Sequence, residues 1–341
     1  MRLFAAAIVV MMGALGGQER VLAMPLLTSA IRPLLTVAGD DFDDARYLTP
    51  LGAGFDGVGG LLIDTSAGGS LCSGSLLADG IHVLTAAHCV TDFNGKLDLV
   101  AATATFFPSP GGVEVLDVLS AVIHPDFNGF LETGNDLAIL TLAVPASAGV
   151  QRYDIYRGSD EIGKTFDTAG FGTLGTGALG ESGPAGFRRH GLNDFDSTMA
   201  GTFDVFPGWT AGDKVLFSDF DDGTAAHDAF GLFFGLNGLG QGADEVSTSS
   251  GDSGGPSFIN GQIAGVTSFG IRVFFLDGSS SDVDQLTNSS FGEFNAFTRV
   301  SQYQDWIDSQ TSAVPEPATW ATMSIGGLLI GFAGHRRNKR S

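Results

Sequence analysis

Apolar residues in this chain occur in short runs that are separated by clusters of Gly, Asp, Asn and Ser. The 341 residues include 50 glycines and 27 phenylalanines. Short apolar runs bounded by turn-forming residues are typical of β-strands, whereas helices need longer stretches with apolar residues three and four positions apart. The pattern therefore predicts an all-β fold.

The clearest apolar runs predict strands at 60–63, 81–85, 113–122, 137–142, 261–268 and 294–300. Helical periodicity is nearly absent. The exception is at 300–307, where Val300, Tyr303, Trp306 and Ile307 would share one face of a helix. We therefore expect a short helix near the C-terminal end of the folded domain.

The N-terminal segment differs in composition from the rest. Arg2 is followed by an uncharged stretch over 3–17, and the small residues Val21 and Ala23 would suit a signal peptidase. A buried core helix is the alternative, but such a helix would normally carry polar positions at helical spacing. We predict a signal peptide over 1–23, and hence export.

At the other end, residues 318–334 carry no charge and are followed by a basic cluster. This length is close to the minimum for crossing a bilayer, and the basic residues would hold that end on the cytoplasmic side. The members of the cluster are Arg336, Arg337, Lys339 and Arg340. The sequence predicts a transmembrane helix in the tail at 318–341.

Charge and cysteine content narrow the function classes. The formal net charge is −21, and loss of both ends would make it more negative. A protein this acidic repels nucleic acid and anionic membranes, which argues against both as partners. Cys72 and Cys89 are the two cysteines, which allows at most one internal disulfide and argues against a zinc site.

Three segments carry groups that acyl-transfer chemistry needs. Residues 84–89 end an apolar strand with His88, and Asp136 stands at the head of an otherwise apolar strand. The third segment, 251–256, reads Gly-Asp-Ser-Gly-Gly-Pro and contains Ser253. A serine nucleophile needs a base, a carboxylate that orients the base, and donors for the oxyanion.

Together, these segments and their order resemble the trypsin-like (chymotrypsin-fold) serine protease family. The resemblance implies two six-stranded antiparallel β-barrels with the site between them. It implies a triad of His88, Asp136 and Ser253, and an oxyanion hole formed by the N–H groups of Gly251 and Ser253. It also implies a Cys72–Cys89 disulfide, and catalysis without a cofactor or a metal.

The resemblance extends to substrate-binding positions. Ser268, Phe269 and Gly270 match the strand that pairs with the substrate backbone, with Phe269 where the family usually has tryptophan. Ser247 matches the floor of the primary specificity pocket and is not an aspartate, so a preference for Lys or Arg is not supported. Asn295 matches a pocket wall that is commonly glycine, so we expect a narrow pocket for small or apolar side chains.

Residues 314–317, Val-Pro-Glu-Pro, precede the apolar tail and its basic cluster. This arrangement resembles the PEP-CTERM sorting signal of Gram-negative bacteria. The resemblance implies that an exosortase recognises and cuts the tail, so that the helix would stay in the inner membrane only transiently. A simple C-terminal membrane anchor is the alternative.

The predicted organisation is a signal peptide at 1–23, an acidic or pro segment at 24–50, a protease domain at 51–311, a linker at 312–317 and the sorting tail at 318–341. The acidic run of the second segment could bind calcium, but a solvated run is more frequent. Its members are Asp40, Asp41, Asp43 and Asp44.

Two departures from the family pattern affect the prediction. The Gly- and Phe-rich stretch at about 170–242 makes the chain longer than a minimal family member. Its polar residues could form a metal site or a substrate-lip loop, although a solvated insertion is more frequent. They are Asp219, Asp221, Asp222 and His227. The N-terminal tetrapeptide that activates members of the family is also absent from the sequence, which would leave Asp252 without a partner. Our hypothesis is that a cut at Arg46-Tyr47 activates the protein.

We predict an exported serine endopeptidase that acts as a monomer on protein or peptide substrates, at the surface of or outside a Gram-negative cell. Its partners besides substrates would be the export machinery and an exosortase. Two alternatives stay open. One is an inactive trypsin-like binding or adhesion module, and the other is an esterase that uses the same triad.

Overall fold

The structure of the protein is a computed structural model that describes residues 26–27, 34–41 and 43–311. The predicted signal peptide at 1–23, linker at 312–317 and sorting tail at 318–341 lie outside these ranges. Among the residues described, the structure contains no helix of the length and apolar character that crossing a membrane requires.

Strands dominate the chain. In the first half they are β1 (Leu26–Leu27), β2 (Leu34–Val37), β3 (Val58–Thr65), β4 (Gly68–Leu76), β5 (His82–Thr85), β6 (Ala101–Phe106), β7 (Glu114–Ile123) and β8 (Ala138–Leu142). In the second half they are β9 (Thr165–Gly170), β10 (Gly175–Thr176), β11 (Gly180–Glu181), β12 (Arg189–Asp194), β13 (Ser197–Thr198), β14 (Val215–Asp219), β15 (Val246–Ser249), β16 (Pro256–Ile259), β17 (Gln262–Ile271), β18 (Val273–Phe274) and β19 (Phe294–Arg299). The α-helices are α1 (Ala229–Phe234) and α2 (Gln304–Thr311).

The first half forms a closed barrel of six antiparallel strands in the order β3-β4-β5-β8-β7-β6. Its interior is filled by alternate apolar side chains, because successive residues of a strand point to opposite faces. On β3, Leu61 and Ile63 are buried while Leu62 between them is exposed. This barrel confirms the expectation of a six-stranded antiparallel barrel.

The second half is a seven-stranded sheet in the order β12-β9-β16-β17-β19-β14-β13. Its hydrogen-bonded ladder does not close into a ring, so it is a half-barrel where a second closed barrel of six strands was expected. Aromatic side chains fill the inner face. The rings of Phe166 and Phe195 lie 4.2 Å apart, and Phe297 packs edge-on against both. The mostly β, trypsin-like fold is thus confirmed, with this difference in the second half.

The segment before the first barrel belongs to the second half of the molecule. Strand β2 pairs antiparallel with β15 and parallel with β10, in a four-stranded sheet ordered β11-β10-β2-β15. In this sheet Thr36 faces Ser247 and Val37 faces Val246. Farther along, Tyr47 is fully buried, and its hydroxyl donates to the Ala243 carbonyl oxygen at 2.5 Å.

The stretch at 170–242 is not a solvated insertion, so that interpretation was wrong. It contains β12, β14 and α1, and most of its large apolar side chains are buried. Phe203, Phe217, Phe220 and Phe230 are at most 1% exposed. Apolar burial explains the outcome, since these rings pack on one another and on the inner face of the half-barrel.

The C-terminal helix begins close to the predicted position. Residues Val300–Gln302 form a single 3₁₀ turn, and α2 follows over Gln304–Thr311. Ile307 is buried, and the ring of Trp306 lies 5.1 Å from that of His124 in the first barrel. The helix therefore packs against the first barrel from the end of β19.

Candidate active site

His88 and Asp136 come together at the ends of two neighbouring strands of the first barrel. The His88 Nδ1 atom lies 2.7 Å from Asp136 Oδ2, and the backbone N–H of His88 donates to Asp136 Oδ1 at 2.9 Å. His88 stands in a 3₁₀ turn directly after β5, and Asp136 precedes β8, the neighbour of β5. The pairing of these two strands brings the imidazole to the carboxylate.

The Asp136 carboxylate is 1% exposed and is satisfied from both halves of the molecule. Ser268, on β17, donates its hydroxyl to Asp136 Oδ2 at 2.6 Å. Thr298, on β19, donates to the Asp136 carbonyl oxygen at 2.9 Å. A buried carboxylate is costly unless it is hydrogen-bonded, and these contacts also fix its orientation. The half-barrel therefore holds the carboxylate that positions His88.

The segment with Ser253 packs tightly onto the first barrel. The backbone N–H of Ser73 donates to the Ser253 carbonyl oxygen at 2.8 Å, and the Ser73 hydroxyl donates to the Gly251 carbonyl oxygen at 2.9 Å. Gly254 has a φ of 82°, and a Cβ atom there would lie 2.0 Å from Thr85 Oγ1. Only glycine fits this close approach of two backbones.

The backbone N–H groups of Gly251 and Ser253 donate no hydrogen bond within the described parts of the chain. Gly251 has a φ of 105°, a conformation that glycine adopts without strain. Two free N–H groups on one tight turn can bind a developing oxyanion. Across the same ranges the Ser253 hydroxyl forms no hydrogen bond with His88, and such bonds often become short only once substrate is bound.

A cavity of about 410 Å³ opens beside His88. Ser268 lines its inner side, and Phe127 and Leu131 form apolar walls. Phe93 stands at its edge with 93% of its surface exposed. An exposed aromatic ring beside a cleft offers apolar area that an extended ligand can cover.

Ser247, predicted as the pocket floor, is 1% exposed and donates its hydroxyl to Asn295 Oδ1 at 2.8 Å. The Thr248 backbone N–H also donates to Asn295 Oδ1, at 3.1 Å. An N–H can only donate, so this contact fixes which side of the Asn295 amide faces β15. The Asn295 Nδ2 donor is buried and has no partner in the part of the chain that the structure describes. The side chain therefore occupies space that glycine would leave open.

The other predicted substrate-binding residues lie on β17. Phe269 is 1% exposed and packs edge-on against Trp209 and Phe217, so its ring serves the core. Gly270 is also buried and faces Asn295 across the ladder to β19. Within this trio, Ser268 alone has its side chain in the candidate site.

Asp252 is fully buried but has hydrogen-bond partners, contrary to the expectation that it would lack one. Its two carboxylate oxygens accept from the backbone N–H groups of Gly172, at 2.8 Å, and Ser249, at 2.7 Å. No ion pair involving it occurs in the residues that the structure covers. Burial without a cation raises the pKa of Asp252 to about 8.

Cys72 and Cys89 form the expected disulfide, with an S–S distance of 2.07 Å. Their sulfur atoms and a ring nitrogen of His88 lie close enough for metal ligation, but bridged sulfurs carry no thiolate. The disulfide instead joins β4 to the turn that carries His88.

Some supporting residues were missed in the sequence. Ser73 and Thr298 hold the Ser253 loop and Asp136, yet each stands in an ordinary strand context. The signal near Ser73 was its place in the segment 72–76, next to a cysteine. The sequence around Thr298 contained no signal of its role, because that role arises from pairing between distant strands.

A closed barrel, a half-barrel and a His88–Asp136 pair resemble the arrangement of trypsin-like serine proteases. Residues 58–184 match the model of the Trypsin family, and residues 313–337 match that of the PEP-CTERM protein-sorting motif. The chain thus carries a Trypsin match followed by a C-terminal sorting motif, and these matches support a trypsin-like serine protease.

Curated relatives and one solved structure are similar to this chain. Brachyurin of Leptuca pugilator is 27% identical over 251 residues, covering 72% of this chain and 89% of its own. A trypsin of Phaedon cochleariae is 28% identical over 246 residues, covering 70% and 78%. A solved structure named HL collagenase has a TM-score of 0.53 at 21% identity, covering 79% of this chain and 98% of its own, which shows a shared fold.

Proposed function

We propose that the protein is an exported endopeptidase that hydrolyses peptide bonds through a Ser253-His88-Asp136 triad and an acyl-enzyme intermediate. The observation that carries the proposal is the placement of His88. Its Nδ1 atom is held by the buried Asp136, which leaves Nε2 for the loop that presents Ser253. The same imidazole can then take a proton from the nucleophile and donate it to the leaving group.

In the first half-reaction, Ser253 Oγ attacks the scissile carbonyl carbon and gives its proton to His88 Nε2. The oxyanion that forms accepts hydrogen bonds from the N–H groups of Gly251 and Ser253. His88 then donates the proton to the leaving amine, and the acyl-enzyme remains. In the second half-reaction, water attacks the ester in the same way and releases the carboxylic acid product.

Asp136 keeps the proton of the neutral imidazole on Nδ1 and stabilises the imidazolium that forms in each step. Ser268 supports it by donating to the same oxygen that faces His88. The backbone of 268–270 would pair with an extended substrate. Ser247 and Asn295 would restrict the primary pocket to small or apolar side chains, because the Asn295 amide occupies its wall.

For the cell, we propose a monomeric protein that is exported and then processed at its C-terminal tail by an exosortase. The support is the sorting motif at 313–337, together with a disulfide that an oxidising compartment would preserve. A cut after Arg46 would require local opening, because the next residue, Tyr47, is fully buried.

The test is to express the full chain with export into an oxidising compartment and to compare wild type with Ser253→Ala on unfolded casein. Cleavage by wild type alone, with inactivation of wild type by a serine-directed covalent inhibitor, is the expected result. Mass spectrometry of the inhibited protein should find the label on Ser253. Sequencing the N-terminus of the active species would identify any activating cut.

The inactive binding module remains the second candidate, favoured by the absence of a cationic partner for Asp252 among the described residues. It would be the conclusion if folded protein with an intact disulfide neither cleaved casein nor reacted with the inhibitor. Hydrolysis of small esters without cleavage of casein would instead indicate an esterase.

A further inference from the structure

A cluster of buried carboxylates lies away from the candidate active site, in the loop between β14 and α1. Asp219, Asp221 and Asp228 are 4%, 2% and 3% exposed, and each offers a carboxylate oxygen within 4.8 Å of those of the other two. All three belong to one ten-residue segment, so little chain has to be ordered to hold them together.

The carboxylates of this cluster have no basic partner among the described residues. In the ranges that the structure describes, no lysine or arginine forms an ion pair with any of the three. A further carboxylate lies beside them, since Glu245 Oε1 accepts from the Asp221 N–H at 2.8 Å. Buried like charges at this distance need either protons or a cation.

One carboxylate oxygen of this loop is unsatisfied. Asp221 Oδ1 is buried and accepts no hydrogen bond from the described residues, although a buried carboxylate oxygen without a partner is costly. Its neighbours are partly satisfied by backbone donors. Asp219 Oδ2 accepts from the Phe230 N–H at 2.8 Å, and Asp228 Oδ1 accepts from the Gly231 N–H at 2.5 Å. The orphaned oxygen therefore belongs to a residue of the cluster that has the charge to bind a cation.

The start of α1 leaves room for this arrangement. A Cβ atom at Gly231 would lie 2.1 Å from Asp228 Oδ2, so a larger residue would displace that carboxylate. Glycine inside a helix costs about 1 kcal/mol relative to alanine, and here it preserves the position of an acidic side chain.

We propose that Asp219, Asp221 and Asp228 form a calcium-binding site. Calcium takes six to eight oxygen ligands at about 2.4 Å, so three carboxylate oxygens within 4.8 Å of one another can share one ion. Magnesium demands near-ideal octahedral geometry and keeps several waters, so a buried cluster of three carboxylates suits it less well.

The site would stabilise the wall of the substrate pocket. The Asp221 N–H donates to Glu245 Oε1 at 2.8 Å, and Glu245 directly precedes β15, which carries Ser247. Asp219 ends β14, which pairs with the strand that carries Asn295. An ion in the loop would therefore fix two of the segments that meet behind the pocket.

The test uses the full chain in a Ser253→Ala background, so that self-cleavage cannot change the result. The protein is stripped with a chelator and titrated with CaCl₂ by calorimetry, and thermal unfolding is followed with and without calcium. We expect calcium at a hundredfold excess over its Kd to raise the Tm by about 5 to 10 °C. MgCl₂ should have a much smaller effect.

Asp221→Asn should abolish this binding event and the Tm shift. Asp222→Asn is the matched control, because both Asp222 oxygens already accept from Thr224 and His227, outside the cluster. It should bind calcium as the parent does. Failure of the parent to bind, or equal binding by the Asp221 variant, would overturn the proposal, and the second result would direct attention to the acidic run at 40–44.

Discussion

At the scale of single residues, Asp136 depends on donors from three separate parts of the chain. His88 comes from the first barrel, while Ser268 and Thr298 come from the half-barrel. The orientation of the imidazole is therefore a property of the contact between the two halves. A change at any of these positions should act on catalysis through His88.

We predict that Asp136→Asn lowers kcat by about 10⁴-fold, because the amide would favour the wrong tautomer of His88. Ser268→Ala should cost about 10- to 100-fold, since it removes one hydrogen bond to a charged group. The measurement is kcat on a peptide substrate for both variants, with Tm as a check on folding. An Asp136→Asn enzyme within tenfold of wild type would contradict the assigned role.

The buried Asp252 gives a pH prediction. Its pKa is raised to about 8, so the folded state holds a proton that the unfolded chain releases near pH 4. Its contribution to stability is complete below about pH 4 and is lost as the pH rises through about 8. We expect wild type to lose more stability than Asp252→Asn between pH 6 and pH 9. Urea unfolding at both pH values measures this, and parallel changes in the two proteins would refute it.

The site residues were largely readable from the sequence because the chemistry needs particular residue types in short, local patterns. His88, Ser253 and the glycines beside Ser253 stand in such patterns. The burial of Asp221 could not be read in the same way, since an acid followed by Asp222 and Gly223 looks like an exposed turn. Its environment depends on Glu245 and α1, which only the tertiary fold brings near.

At the scale of elements, the strands that were predicted correctly are segments rich in apolar residues. The predicted run at 137–142 became β8, and 294–300 became β19. Strand β4, with the sequence Gly-Gly-Ser-Leu-Cys-Ser-Gly-Ser-Leu, was missed, because glycine and serine suggest a loop. Its eight-residue register with β3 forms through backbone hydrogen bonds, which side-chain patterns do not reveal.

A buried ion pair joins the end of β19 to the loop before β9. The Arg299 Nε atom donates to Glu161 Oε2 at 3.0 Å, and Glu161 is fully buried. We predict that Glu161→Ala destabilises the protein by about 3 to 5 kcal/mol, because it leaves a buried guanidinium without its partner.

The control for this prediction is the surface pair Arg157–Asp308, whose side chains are 54% and 47% exposed. Asp308→Ala should cost no more than about 1 kcal/mol. Urea unfolding of both variants gives the comparison. Similar losses in the two would show that the buried pair contributes no more than an exposed one.

At the scale of the whole molecule, the two halves differ in how they are filled. The first barrel closes around aliphatic residues, whereas the half-barrel is filled by phenylalanine rings that stack and meet edge-on. Abundant phenylalanine predicted a β-rich core but could not indicate whether the second sheet closes. Closure depends on the pairing of β12 and β13 at the two edges, which no local pattern encodes.

The net charge of −21 should also influence substrate choice. A strongly acidic surface attracts cationic chains, and salt screens this attraction. We predict that kcat/KM for a substrate flanked by lysines falls as NaCl is raised from about 20 mM to 500 mM, because the Debye length shrinks several-fold over this range. The same substrate flanked by glutamates should show the opposite trend. A common salt dependence for both would mean that the surface charge does not steer substrates.

Strand β2 has a practical consequence for anyone who purifies this protein. It is hydrogen-bonded on one side to β15 and on the other to β10, so its attachment does not rely on the chain that links it to β3. A molecule nicked after Arg46 would keep its N-terminal fragment and elute at its original size. Two bands would separate only under denaturing conditions, and a native measurement would count the nicked and the intact forms as one species.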